Sequence, residues 1–404
     1  MTYENRQQAE AFFESGRAKA RERDYRGAIG DYTKAIDLKH DYAEAYSYRG
    51  FAYSRLDNFR QACDDQSKAI KLNPKYAEAY NFRSYAYSQL SKFRKALVDS
   101  CRAIELNPDF AEAYNNRGVV HSKLSNWRQA CDDHDKAIEL KPNYTDAYYH
   151  RGFAHNRRYN FLQAIADYGE VIKASPNHIK AHNGRGFANK SLGDWNNSQG
   201  NYQKALSDYN RAHADYSKVI ELKPNYEAYK NRGSVNNSLG LLYKSLDDRN
   251  NTQNNYLKAR PHHRRALADY NKAIELKPDY TEAYNGRGFA NNGLGNYHQA
   301  LTDYDKAIDL NPNYAEAYNG RGFANKSLGD WNNSKGNYQQ ARADYNRAHA
   351  DYSKAIELNP NYAEAYTGRG FVYCALGKFQ LALDDANNAI KLNHKDTLAH
   401  ALKK

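Results

Sequence analysis

Residues 281–314 read TEAYNGRGFANNGLGNYHQALTDYDKAIDLNPNY, and 315–325 begin again as AEAYNGRGFAN. Within this stretch small side chains stand at positions 8, 20 and 27 (Gly288, Ala300, Ala307). Aromatic ones stand at 4, 17 and 24 (Tyr284, Tyr297, Tyr304), and Pro312 closes the stretch at 32. Positions 4, 8 and 11 share one helical face, and 20, 24 and 27 share another. Small residues let two helices approach closely while the aromatics fill the space beside them. The proline ends the second helix because it cannot continue the hydrogen-bond ladder. The unit is therefore a helical hairpin with too little apolar surface to fold alone, and it depends on its neighbours.

The same pattern extends outward in both directions. Eight of the nine prolines fall at Pro74, Pro108, Pro142, Pro176, Pro224, Pro278, Pro312 and Pro360. The interval from Pro278 to Pro312 is the same as each step from Pro74 to Pro176. A frame starting at Ala9, Ala43, Ala77, Ala111 and Thr145 continues, with insertions, through Ile179, about Glu227, Thr281, Ala315 and Ala363. Position 8 is Gly in every unit except at Ser84, and position 20 is Ala in all ten. A fixed period of this size means a stacked array, not a globular domain built round one active site.

The pattern at 4, 8, 11, 20, 24, 27 and 32 resembles the tetratricopeptide repeat family from residue 9 to about 396. The resemblance implies an all-α, right-handed superhelical solenoid of about ten helix-turn-helix units, with the first helix of each hairpin, helix A, on the concave side. The expected divisions are a tail at 1–8, five regular units at 9–178, two elongated units at 179–280, a regular unit at 281–314, an elongated unit at 315–362, a last unit at 363–396 and a short segment at 397–404. One departure from the family is systematic. Position 7, often leucine there, is Arg in nine units, from Arg49 to Arg369, and position 23 is Asp in all ten. An arginine fork suits a carboxylate at a half-buried site, so each Arg is expected to pair with the Asp of its own hairpin or the next, in preference to forming an anion-binding ladder.

Three units are long, and their extra length comes in sevens. Seven residues are close to two helical turns, so a duplicated heptad lengthens a helix without turning its apolar face far. Helix B is expected to gain two turns in these units. The matching residues upstream either lengthen helix A or form a loop, since Asn196, Asn197, Gly200 and Asn201 are poor helix formers. Pro261 is expected near the start of the longest second helix, where it is tolerated. Residues 183–226 and 319–362 differ at only six of 44 positions, the mark of an internal duplication. At the C-terminus Ala399 and Leu402 are placed to cover the last hairpin with a short closing helix.

Composition narrows function by exclusion. Mean hydropathy is -1.00, and no apolar run approaches the ~20 residues that span a bilayer. The opening stretch from Met1 to Glu22 lacks the apolar core of a signal peptide, so a cytoplasmic location is expected. Cys63, Cys101, Cys131 and Cys374 are scattered and form no CxxC, which fits buried thiols in a reducing compartment. The net charge of +12 points to an acidic partner or RNA as an alternative, but the basic residues are interleaved with 47 acids and form no block. The histidines join no nucleophile or metal-ligand grouping, and the adjacent pair His262 and His263 would point in different directions on a helix. No enzyme activity, cofactor or metal is expected.

What remains is binding. On helix A, positions 2, 5, 9 and 12 form one stripe. Position 2 is mostly acidic. Position 5 includes Asn81, Asn115, Asn183, Asn285 and Asn319, and a carboxamide both donates to and accepts from a peptide backbone. Position 9 includes Phe51, Tyr85, Phe153, Phe187, Phe289, Phe323 and Phe371, which offer contact area. These twelve residues are the candidate partner-binding set, with packing against the next helix as the competing role of the aromatics. Family members that clamp an acidic C-terminal tail use basic residues at such positions. Phe13, Ser47 and Asn81 stand there in the first three units, so that clamp is not supported. The expected function is an interaction scaffold for an extended peptide or helix of a partner protein, or a regulatory subunit. Self-association through the long hairpins or the array ends is a further expectation.

Overall fold

A computed structural model of the chain describes residues 3–250, 254–394 and 396–403; within them, the side chains of 247–250 and 254–256 are not described. Twenty-one helices and no strand are found among the described residues. By contacts the chain divides into two compact units, residues 1–184 and 185–404, and the division falls inside one helix.

The N-terminal unit stacks five hairpins: α1 (Tyr3–Arg21) with α2 (Tyr25–Leu38), α3 (Ala43–Arg55) with α4 (Phe59–Leu72), α5 (Ala77–Gln89) with α6 (Phe93–Leu106), α7 (Ala111–Lys123) with α8 (Trp127–Leu140), and α9 (Thr145–Arg157) with α10 (Phe161–Ala174). The first turn of α11 (Ile179–Ser198) completes it. The C-terminal unit holds the rest of α11, α12 (Tyr202–Leu222), α13 (Tyr226–Asn250) with α14 (Asn254–Leu276), α15 (Thr281–Leu294) with α16 (Tyr297–Leu310), α17 (Ala315–Ser334) with α18 (Tyr338–Leu358), α19 (Ala363–Ala375) with α20 (Phe379–Leu392), and α21 (Thr397–Leu402). Within each unit, successive A helices touch one another, as α3 touches α5 and α15 touches α17. No such contact joins successive B helices among the described residues. An array whose A helices converge while its B helices spread curves toward the A side, which makes the A helices the inner wall of each unit.

The close approach of helices rests on a specific fit. Tyr304, fully buried on α16, lies against Gly288 of its own hairpin and Gly320 of the next. A Cβ on Gly320 would stand 2.4 Å from the Tyr304 ring. Tyr168 against Gly184, Tyr270 against Gly286 and Tyr352 against Gly368 repeat the arrangement. Position 24 thus fills the gap that position 6 of the following unit leaves open.

The expected Arg–Asp pairing is present in all nine units that carry the arginine. Arg49 donates to Asp65 through Nε and Nη2 at 2.8 Å each, and Arg369 to Asp385 in the same way. In each case the Asp belongs to the arginine's own hairpin. A third guanidinium nitrogen reaches the preceding hairpin, as from Arg83 to Ser67, Arg287 to Asn271 and Arg321 to Asp305. The guanidinium also lies over the position 4 ring of its own helix, as Arg287 does over Tyr284 at 5.3 Å. These arginines hold the stack together, and their donors are already committed. Unit one, which has no arginine, keeps Asp31 occupied with Ser15 and Lys19 instead.

The insertions make taller hairpins. The regular second helices have 14 residues, whereas α12 and α18 have 21. Upstream the extra residues are helix, not loop: α11 and α17 have 20 each, and the turn falls at Gly200 and Gly336, both at positive φ. One asparagine near the end of each long first helix supplies a buried donor. Asn196 donates to Asp208 and Asn332 to Asp344, both at 2.8 Å. The sequence expectation misplaces Pro261, which stands inside α14, well past its start at Asn254, and deprives the Leu257 carbonyl of its helical donor. Asp396 caps α21, whose Ala399 is fully buried and whose Leu402 lies against Gly370.

Candidate functional site

Of the buried polar atoms of the N-terminal unit that have no hydrogen-bond partner, three gather in one place. Ser54 Oγ on α3, Ser88 Oγ on α5 and Asn115 Oδ1 on α7 are withdrawn from water and have no hydrogen-bond partner. Each belongs to a residue more than nine-tenths buried. Leaving such a group unsatisfied costs about 1–3 kcal/mol. All three line one cleft of about 520 Å³, walled by the A helices α3, α5 and α7 and by α9. Phe51, Phe82 and Tyr85 supply its aromatic surface, with Phe51 and Phe82 only 5.1 Å apart. Glu112 and Asp146, at the N-terminal ends of their helices, border it on one side. Arg55 and Lys123, at the C-terminal ends, border it on the other. Glu112 is already paired with Lys141 at 2.8 Å.

The cleft brings together four of the twelve candidate residues: Phe51, Tyr85, Asn81 and Asn115. Its asparagines are more deeply set than a contact row would require. Asn81 is buried and accepts from Asn116 at 2.8 Å. Beside Asn115, Tyr144 holds its proton more tightly because burial disfavours the phenolate. In the C-terminal unit Asn285 donates to Tyr314 at 3.4 Å. At Asn285, position 5 thus ties helix A to the aromatic residue that ends its own unit.

Position 9 is more open. Phe153 and Phe323 are 41% exposed and Phe187 50%, while Phe51, Phe289 and Phe371 are half-buried. Phe153 meets Trp127 edge-on at 6.0 Å, and Lys326 lies over Phe371. Asn183 is half-buried in the first turn of α11. In the C-terminal unit a pocket of about 220 Å³ gathers Phe289, Asn319 and Phe323, and a neighbouring one adds Asn285 beside Phe289.

Sequence reasoning missed position 6. Phe82, Asn116 and His150 occupy it in units three to five, and all three line the cleft. The signal lies in a coupling between positions. Where position 24 is Tyr168, Tyr270, Tyr304 or Tyr352, position 6 of the next unit is Gly; where it is Gln66, Ser100 or His134, position 6 carries Phe82, Asn116 or His150; Tyr32 with Tyr48 and Tyr216 with Asn231 depart from the pattern. His134, fully buried with both ring nitrogens unpartnered, stacks on His150 at 5.7 Å. Burial pushes the His134 pKa well below the usual value and that of His150 down to about 4, so both rings are neutral near pH 7. Among the described residues, no group of three or more His, Cys, Asp or Glu is placed to hold a metal ion, and no helix is long and apolar enough to cross a membrane.

Comparison with known proteins agrees with the hairpin geometry. A family model described as TPR repeat matches residues 10–57, 264–295, 293–329 and 344–377. Tetratricopeptide repeat models match 43–76, 77–110 and 102–132. The chain belongs to the tetratricopeptide repeat family. Solved structures similar to it include a tetratricopeptide repeat protein from Parabacteroides merdae, at 19% identity over 70% of this chain and 99% of that one, with a TM-score of 0.43. Another is YrrB, described as a TPR protein with an unusual peptide-binding site, at 21% identity over 49% and 94%, with a TM-score of 0.38. A third is the first TPR of Spaghetti (RPAP3) bound to the HSP90 peptide SRMEEVD, at 32% identity over 30% and 95%, with a TM-score of 0.29. A search of curated proteins found no match.

Proposed function

We propose that the protein is an interaction scaffold that holds an extended segment of a partner protein in the cleft of its N-terminal unit. One observation carries this reading: Ser54, Ser88 and Asn115, each with a partnerless polar atom, line the same cleft as the rings of Phe51, Phe82 and Tyr85. A peptide main chain has donors and acceptors at every residue and satisfies such a set without a fixed sequence, while its side chains cover the rings. The two charged borders favour a segment whose basic side chains face Asp146 and whose acidic ones face Arg55 and Lys123. The nine stacking arginines contribute little to any polyanion surface, because each is already forked onto an Asp.

Peptide-display selection on the immobilised protein tests the proposal, with the Tyr85→Ala and Asn115→Ala variants run in parallel. Selected peptides are expected to lose at least tenfold in affinity on both variants and to keep most of it between 50 and 200 mM salt. Peptides that bind the variants unchanged would remove the cleft. RNA binding that collapses by several orders of magnitude over the same salt range, with no peptide selected, would overturn the reading in favour of phosphate recognition.

A further inference from the structure

The elongated α13 forms a pocket that a regular hairpin would lack. A regular first helix ends near position 13, whereas α13 continues to Asn250. Leu241 and Lys244, on that extension, wall a pocket of about 220 Å³ with His263 of α14, Phe289 and Asn292 of α15, and Phe323 of α17. Leu241 and Phe323 are each more than 40% exposed, so the apolar mouth is open.

The hydrogen-bonding character of the floor can be worked out. Asn292 donates through Nδ2 to the Tyr304 hydroxyl at 3.0 Å and the Gly320 carbonyl at 3.1 Å. A carbonyl only accepts, so this bond fixes the carboxamide orientation and leaves Asn292 Oδ1 as an acceptor with no partner. Asn319 Oδ1, which also lines the pocket, is partnerless too. Asn237 donates through Nδ2 to the Gly286 carbonyl at 3.0 Å, so its Oδ1 must accept. His263 Nδ1, 3.3 Å from that oxygen, therefore carries the proton. Burial lowers the His263 pKa to about 4, so the ring is neutral near pH 7 and Nε2 is an acceptor. Nε2 faces Gly293, which also lines the pocket.

Three acceptors between apolar walls call for a ligand group that donates. An ammonium or guanidinium donates, but no carboxylate lines the pocket and the Lys244 cation borders it. A phenylalanine ring would leave the acceptors unsatisfied, and a phenol brings an acceptor of its own. An indole is apolar, neutral and donor-only, and its single N–H satisfies one of the three acceptors. We propose that this pocket takes the indole of a tryptophan carried on a partner protein's segment. The proposal rests on the scaffold reading only for the source of that tryptophan. The pocket lies in the other compact unit from the cleft, so either can fail alone.

Titration of the full chain with N-acetyltryptophanamide, followed by saturation-transfer NMR, tests it. The analogue methylated at the indole nitrogen, which lacks the ring donor and adds one methyl group, and N-acetylphenylalaninamide serve as the comparisons. The tryptophan amide is expected to bind at least tenfold more tightly than either, and Leu241→Ala and Phe323→Ala are each expected to weaken it at least fivefold with the helical circular dichroism unchanged. Equal binding of the methylated analogue would overturn the donor argument. Binding untouched by both substitutions, or no binding of the tryptophan amide, would overturn the site. If one variant misfolds, the other and the methylated analogue still decide.

Discussion

Replacing Asp303 with Ala isolates the contribution of the Arg–Asp stack. Asp303 is 4% exposed and accepts from Arg287 Nε at 2.9 Å, Arg287 Nη2 at 2.6 Å and Asn291 Nδ2 at 3.0 Å. Breaking a fully buried pair by removing one partner costs about 3–5 kcal/mol, because the other charge is left without compensation. Arg287 is less isolated than that limit. Its side chain is 26% exposed, it keeps a bond to Asn271 at 2.8 Å, and it still lies over Tyr284. The expected loss is therefore about 2–3 kcal/mol, toward the value of a charge-assisted hydrogen bond and its satellite. Removing both charges, as Arg287→Met with Asp303→Leu, leaves no orphan and is expected to cost about 1 kcal/mol or less than that. Repeat arrays need not unfold in one step, so urea midpoints should be read beside native-state hydrogen exchange of α15 and α16. If Asp303→Ala cost under about 0.5 kcal/mol, or if the double variant were as unstable as the single one, the pair would not be holding the hairpins in this way.

Three further outcomes follow from the same geometry. Ser125 holds φ at 60° in the turn between α7 and α8, where other units place Gly295 or Gly377; Ser125→Gly is expected to relieve about 0.5–1 kcal/mol of strain and raise the urea midpoint. His150 and His263, lowered to about 4 by burial, take up protons more readily when unfolded, so the stability they contribute is present above about pH 6.5 and is lost as pH falls toward 4. Melting curves from pH 7 to 4.5 should show that decline, and His150→Gln should flatten part of it. His134→Tyr with His150→Gly rebuilds the tyrosine–glycine fit of Tyr304 and Gly320; the pair is expected to be more stable than either single variant by at least about 1 kcal/mol, and a strictly additive double-mutant cycle would contradict the coupling.

The hairpins were legible in the sequence because their constraints are local. Gly288, Ala300, Ala307 and Pro312 specify close packing and helix ends within a single repeat, and the Arg287–Asp303 pair spans one turn of the hairpin. The heptad insertions were half legible. Period seven predicted longer second helices, but Asn196 and Asn197 read as loop formers, because their helix propensity says nothing of a buried Asp208 that needs a donor. The cleft was hidden for a related reason. A stripe drawn on one helix contains only neighbours at three and four residues, and Phe82, Asn116 and His150 lie off that stripe. Their presence is decided across two hairpins. After Tyr168, Tyr270, Tyr304 and Tyr352 the next hairpin supplies glycine and nothing projects inward there, whereas Tyr32 is followed by Tyr48 and Tyr216 by Asn231. Where position 24 shrinks to Gln66 or Ser100, or becomes His134, position 6 is free to carry a side chain, and a binding wall appears. The array thus alternates between positions spent on stacking and positions released for contact, and the release is written in pairs such as Gln66 with Phe82, one on each of two successive hairpins, rather than in any single motif.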